Sequence, residues 1–90
     1  MFQKVKPIAK YKGVVAYDCG DVMYVRLEKW AIVSDHTHSN EEIVFLMDGK
    51  VEAIIWGTIE ILKSPLKITI PPNTYHKFTA LTEVTGLEIK

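Results

Sequence analysis

The chain has 90 residues, 48% hydrophobic and 24% charged, and its eleven basic and eleven acidic side chains cancel to zero formal charge. That is the composition of one globular domain spanning residues 1–90, not of a disordered or fibrous chain. The charge balance leaves no basic stripe for nucleic acid, and no apolar run approaches the roughly 20 residues needed to cross a bilayer.

In chain order, the opening "MFQKVKPIAKYKG" holds Lys4, Lys6, Lys10 and Lys12, the one basic cluster. It reads as a solvated arm or as an edge strand whose lysines discourage unwanted pairing. It lacks the apolar core of a signal peptide, and the single cysteine, Cys19, precludes an internal disulfide. A soluble cytoplasmic protein is the expectation, with Cys19 as a small buried hydrophobe.

The next segment, "VMYVRLEK" (22–29), alternates as a strand, with Val22, Tyr24, Arg26 and Glu28 on one face and Met23, Val25 and Leu27 on the other. If the first face points inward, Tyr24 and Arg26 line a pocket and Arg26 can hold an anionic group through bidentate hydrogen bonds. Otherwise Arg26 is a surface side chain. Trp30 and Trp56 sit beside turns, where large aromatics are expected to close the end of a core, or, for Trp56, to meet a partner subunit.

Six further strands are predicted: "EIVFLM" (42–47), "KVEAIIW" (50–56), "TIEIL" (58–62), "LKITI" (66–70), "HKFTAL" (76–81) and "TGLEIK" (85–90). Turn signals separate them, and Asp48-Gly49 between two apolar runs is a strong hairpin signal. The first of these strands is apolar throughout, as expected when both faces are covered. One barrel lumen does not need that much apolar surface, so residues 43–47 predict a homodimer. Many short strands with close-set turns and no sustained helical period indicate an all-β sandwich or barrel.

The chemistry concentrates in "SDHTHSNEEIVFLMDG" (34–49) and "IPPNTYHKF", which together hold all three histidines. His36 and His38 are one residue apart, so in an extended segment both imidazoles project to one face. Imidazole suits Zn, Cu, Fe and Ni, and a nearby glutamate can add a carboxylate oxygen. Alone, this stretch reads more readily as a polar loop before a strand. The paired prolines ahead of His76 aim a third imidazole, since each ring holds φ near about −65°.

"HTHSNEEIVFLMDG" resembles the first motif of the cupin superfamily, G-x5-H-x-H-x3,4-E-x6-G, with His36, His38, Glu42 and Gly49 in register. "PPNTYH" resembles the second, G-x5-P-x-G-x2-H-x3-N, with Pro71 and His76 in register. The motifs occupy about residues 30–49 and 65–80. The chain departs from them at Trp30, Pro65, Asn73 and Ala80. None of these is a ligand position in the family, and Asn73 tolerates the left-handed region its turn requires.

The resemblance, to a small RmlC-like cupin, implies an antiparallel β-barrel of jelly-roll type. His36, His38, Glu42 and His76 would hold one divalent transition metal (Fe, Mn, Ni or Zn) and leave positions open for a small polar ligand. Strand parity selects Glu42, which shares a face with Val44 and Leu46, over Glu41. Phe78 and Ala80 share the parity of His76, so Val44 and Phe78 are pocket candidates, while Tyr75 should face away and pack. A metalloenzyme of oxygenase or isomerase type is the first expectation; a non-catalytic binding or sensing module is the alternative.

Overall fold

The computed structural model describes residues 1–89, the side chains of residues 34–36 excepted. Ten strands follow one another: β1 (Pro7–Tyr11), β2 (Val14–Asp18), β3 (Val22–Leu27), β4 (Ile32–His36), β5 (Glu42–Asp48), β6 (Lys50–Ile55), β7 (Thr58–Lys63), β8 (Leu66–Ile70), β9 (His76–Ala80) and β10 (Val84–Ile89). Among the described residues every regular element is a strand, so no helix is long and apolar enough to cross a membrane.

The strands form a six-stranded sheet, ordered β1-β2-β3-β10-β5-β8, and a four-stranded sheet, ordered β4-β9-β6-β7. All pairings are antiparallel. This is the expected jelly-roll barrel. The lysine-bearing opening supplies β1, which pairs only with β2 and is exposed along its whole length.

The inner faces meet over a small core. Leu27, Leu46, Val51, Ala80 and Val84 are buried and form one cluster, which we call the floor of the barrel. Each Leu or Val so buried stabilises the fold by about 1.5–3 kcal/mol. The opposite ends of the same strands form the mouth.

Two-residue hairpins sit where both residues adopt positive φ, the geometry that matches strand twist. Lys12-Gly13 (φ 40° and 82°) joins β1 to β2, and Trp56-Gly57 (φ 52° and 75°) joins β6 to β7. Asp48-Gly49 is not such a hairpin. There β5 leaves one sheet and β6 enters the other, so the chain turns a corner. Gly49 takes φ 108°, and a Cβ on it would collide with the Glu83 carbonyl oxygen, with Val84 Cγ2 at 2.8 Å and with Thr82 Oγ1 at 2.9 Å. The dipeptide signals positive φ correctly but says nothing about which strand follows as partner.

The outer face of β5 is uncovered within the chain, with Phe45 37% and Met47 50% exposed, as the expectation of a partner subunit there assumes. Other expectations are corrected by side-chain placement. Trp30 and Trp56 do not close the core; they are 63% and 67% exposed, because turn positions with φ of 72° and 52° swing their side chains outward. The Lys29 ammonium lies 5.1 Å from the centre of the Trp30 ring, a cation–π contact at the surface. Tyr75 faces away from the lumen as parity requires but is exposed, not packed. Cys19 is exposed in the β2–β3 turn.

Candidate metal centre

β5 and β9 carry the site. Glu42, Val44 and Leu46 alternate inward along β5, and Glu42 is buried while Glu41 is exposed. His76 opens β9 and is 1% exposed. Its position is set by the turn before it. Asn73 adopts φ 59°, and its N–H donates to the His38 carbonyl (2.7 Å), tying the second motif to the first. Two residues on, the Tyr75 carbonyl accepts from the Trp56 N–H (3.1 Å). The segment is thus held from the β4–β5 loop on one side and the β6–β7 hairpin on the other.

His76 Nδ1 lies 2.9 Å from the Thr74 carbonyl oxygen. A carbonyl only accepts, so Nδ1 carries the proton and Nε2 turns its lone pair to the lumen, the arrangement a ligand histidine takes. Nε2 lies 3.0 Å from Glu42 Oε1, and His38 Nε2 lies 3.3 Å from Glu42 Oε2. A lone pair facing a carboxylate oxygen at that distance requires a positive charge between them, either a proton or a metal ion. The ligand atoms of His38, Glu42 and His76 all lie within 4.8 Å of one another and can hold a metal ion. The donor set therefore fits a divalent cation of borderline softness.

Burial grades across the three. The His38 side chain is 43% exposed, Glu42 9% and His76 1%, so the cluster runs from solvent at the mouth into the wall. His38 stands in the loop beyond β4, not in the strand itself. The fourth expected ligand, His36, ends β4 with its backbone opposite His76, and its side chain lies outside the described residues.

Below the cluster lies a cavity of about 170 Å³, with Glu42 and His76 in its wall. Val44 and Phe78, both expected there, line it, and the Phe78 ring centre is 5.8 Å from that of His76. Tyr24 and Arg26 do not line it. The inward face of β3 is Met23, Val25 and Leu27, while Arg26 is exposed and Tyr24 lies beside Tyr17, ring centres 6.0 Å apart. The wholly apolar set of the alternation takes the lumen. Reading the sequence for motifs missed Glu88, a partly buried residue of β10 that also lines the cavity. Its signal was parity: Val84, Gly86 and Glu88 alternate with Thr85, Leu87 and Ile89.

No known protein-family profile matches the chain, and no curated protein matches it in sequence. Solved structures do match it in shape. An RmlC-like cupin of Shewanella frigidimarina superposes with a TM-score of 0.78 at 17% identity, over 94% of this chain and 81% of that one. A cupin-2 domain of Rhodospirillum rubrum gives a TM-score of 0.81 at 15% identity, over 98% and 71%. Oxalate decarboxylase of Bacillus subtilis, a protein with Mn(II) centres, gives 0.78 at 19% identity, over 94% of this chain and 26% of its own. Ten antiparallel strands in two facing sheets, superposing over nearly the whole chain, identify the fold: it is the cupin fold.

Proposed function

We propose that the chain is a metal-binding cupin whose single divalent transition metal is held by His36, His38, Glu42 and His76, and that it acts on a small molecule bound in the adjoining cavity. One observation carries this: a buried carboxylate presents its two oxygens to two imidazole Nε2 atoms, at 3.0 and 3.3 Å. Burying an ionised carboxylate costs several kcal/mol unless charge or hydrogen bonds compensate it, and a cation does so best. Bound there, a divalent ion supplies Lewis-acid polarisation of a ligand oxygen. Fe, Mn, Ni and Zn suit the donors, and a reaction of oxygenase or isomerase type is the proposed activity.

The protein's own contribution is positional. Thr74 fixes the His76 ring, Asn73 anchors the His38 loop, and the apolar wall keeps water from most of the ligand. Elemental analysis tests the site: the wild type should carry about one metal per chain, and His76→Ala should lose it, dropping affinity by at least roughly 100-fold. Stoichiometric metal in that variant refutes the assignment.

A second reading, a binding or sensing module without turnover, is favoured by the mostly apolar cavity wall. Screening the metal-loaded protein with sugars, organic acids and phenols separates the two, by turnover against thermal stabilisation alone. We also propose a homodimer, supported by the exposed Phe45 and Met47 on the outer face of β5. Sedimentation at micromolar concentration should give twice the chain mass; a monomer mass removes the proposal.

A further inference from the structure

We infer that residues 1–6 of one copy of the chain pair, as an added antiparallel strand, with the β7 edge of a second copy, Lys4 of each standing opposite Glu60 of the other. The inference deepens the homodimer proposed above and rests on it for the partner.

The donor is the run ahead of β1. Residues 1–6 are all exposed, Phe2 by 97%, and belong to no strand. Extended, they place Phe2, Lys4 and Lys6 on one face and Gln3 and Val5 on the other. The acceptor is β7. Among the described residues it pairs only with β6, so its far edge presents a row of backbone donors and acceptors. The edges of the other sheet carry devices that discourage pairing: β1 contains Pro7 and Lys10, and β8 lies between Pro65 and Pro71. β7 holds no proline, and its outward residues Ile59 and Ile61 are 62% and 56% exposed.

One device does guard β7. Glu60 stands opposite Ala53, which is 1% exposed, so Glu60 lies on the inner face. An inward charge blunts indiscriminate pairing and favours the strand that brings a cation to that position. The antiparallel register with Lys4 opposite Glu60 does so. It also sets Phe2 against the half-buried Leu62 on the inner face and Val5 against Ile59 on the outer. Pairing ends where Pro7, which has no N–H to donate, comes opposite Gly57 beside the exposed Trp56.

The chain's own β7 is out of reach. β7 leads to β8 through Ser64-Pro65 alone, and β8 lies five strands across its sheet from β1. At about 4.8 Å per strand that is roughly 24 Å, while six extended residues span roughly 20 Å with none left to pair. A second copy meets the demand, and reciprocal exchange closes a two-fold dimer.

Sedimentation equilibrium of the full chain gives the dimer dissociation constant for the wild type, Lys4→Glu, Glu60→Lys and the chain carrying both. Each single reversal should weaken the dimer roughly tenfold, since two exposed ion pairs become repulsive, and the double reversal should restore it. Thermal unfolding verifies that the variants fold. In parallel, a Lys4→Cys chain is mixed with a Glu60→Cys chain, both also Cys19→Ser, in a glutathione redox buffer. Opposed Cα atoms about 5 Å apart suit a disulfide, so a mixed disulfide dimer should form. A dimer indifferent to both reversals, or no mixed disulfide, overturns this inference and leaves the homodimer standing. A monomeric wild type removes both. A dimer that obeys the charge swap but is unchanged by Phe45→Glu removes β5 from the interface and leaves the exchange standing.

Discussion

The floor of the barrel and its mouth are made by the same strands under different demands. β5 gives Leu46 to the floor and Glu42 to the mouth; β9 gives Ala80 and His76; β10 gives Val84 and Glu88. At the floor, apolar side chains from both sheets fill the space between them. At the mouth, the same inner faces carry carboxyl and imidazole groups that a well-packed core would exclude. The packed floor, together with Ile70, which stands opposite Glu42 and belongs to the same buried cluster, offsets the free energy that burying the mouth groups costs. A strand of five to seven residues is long enough to serve both ends.

The strongest way to break that division is to damage the floor alone. Leu46 is 4% exposed and belongs to the core cluster, so Leu46→Ala should lower unfolding free energy by about 2–5 kcal/mol. In denaturant titration the midpoint should fall, while metal stoichiometry in the folded fraction stays at the wild-type level. Loss of metal from a still-folded Leu46→Ala protein would show that floor and mouth are not separable.

The division also explains what could be read from sequence. Period-two alternation placed Glu42 inward and Glu41 outward, because one face of β5 must serve a lumen whatever lies beyond it. The Pro-Pro-Asn turn was legible because its conformation is local: Asn73 reaches φ 59° within the turn itself. What escaped were facts set by partners distant in the chain. Nothing local says that β5 and β6 belong to different sheets, so Asp48-Gly49 read as a hairpin. The inward face of β3 depended on its neighbours β2 and β10, and only the wholly apolar set of Met23, Val25 and Leu27 fits the lumen between them. β2 and β4 were not drawn as strands, and β1 was drawn only as an arm or an edge strand. Glu88 carries no motif, and its place at the mouth emerges only when β10 lies between β3 and β5.

Two glycines sharpen the comparison at smaller scale. Gly49, at the floor, donates its N–H to Ser64 Oγ (3.0 Å), and the Lys50 N–H next to it donates to Thr82 Oγ1 (3.0 Å). A methyl group there meets backbone that cannot move without disturbing Val84, so Gly49→Ala should cost about 2–4 kcal/mol, strain and overpacking together. Gly57, at the mouth in the Trp56-Gly57 hairpin, has nothing within 4 Å of where a Cβ would stand. Gly57→Ala should cost only the positive-φ penalty, about 1 kcal/mol. Equilibrium denaturation of the pair measures the difference directly. Equal costs would mean that the corner at Gly49 relaxes, and that the floor is less rigid than its contacts require. A large cost at Gly57 would mean that the rim hairpin holds Tyr75, and through it His76, more firmly than the single Trp56-to-Tyr75 hydrogen bond of 3.1 Å accounts for.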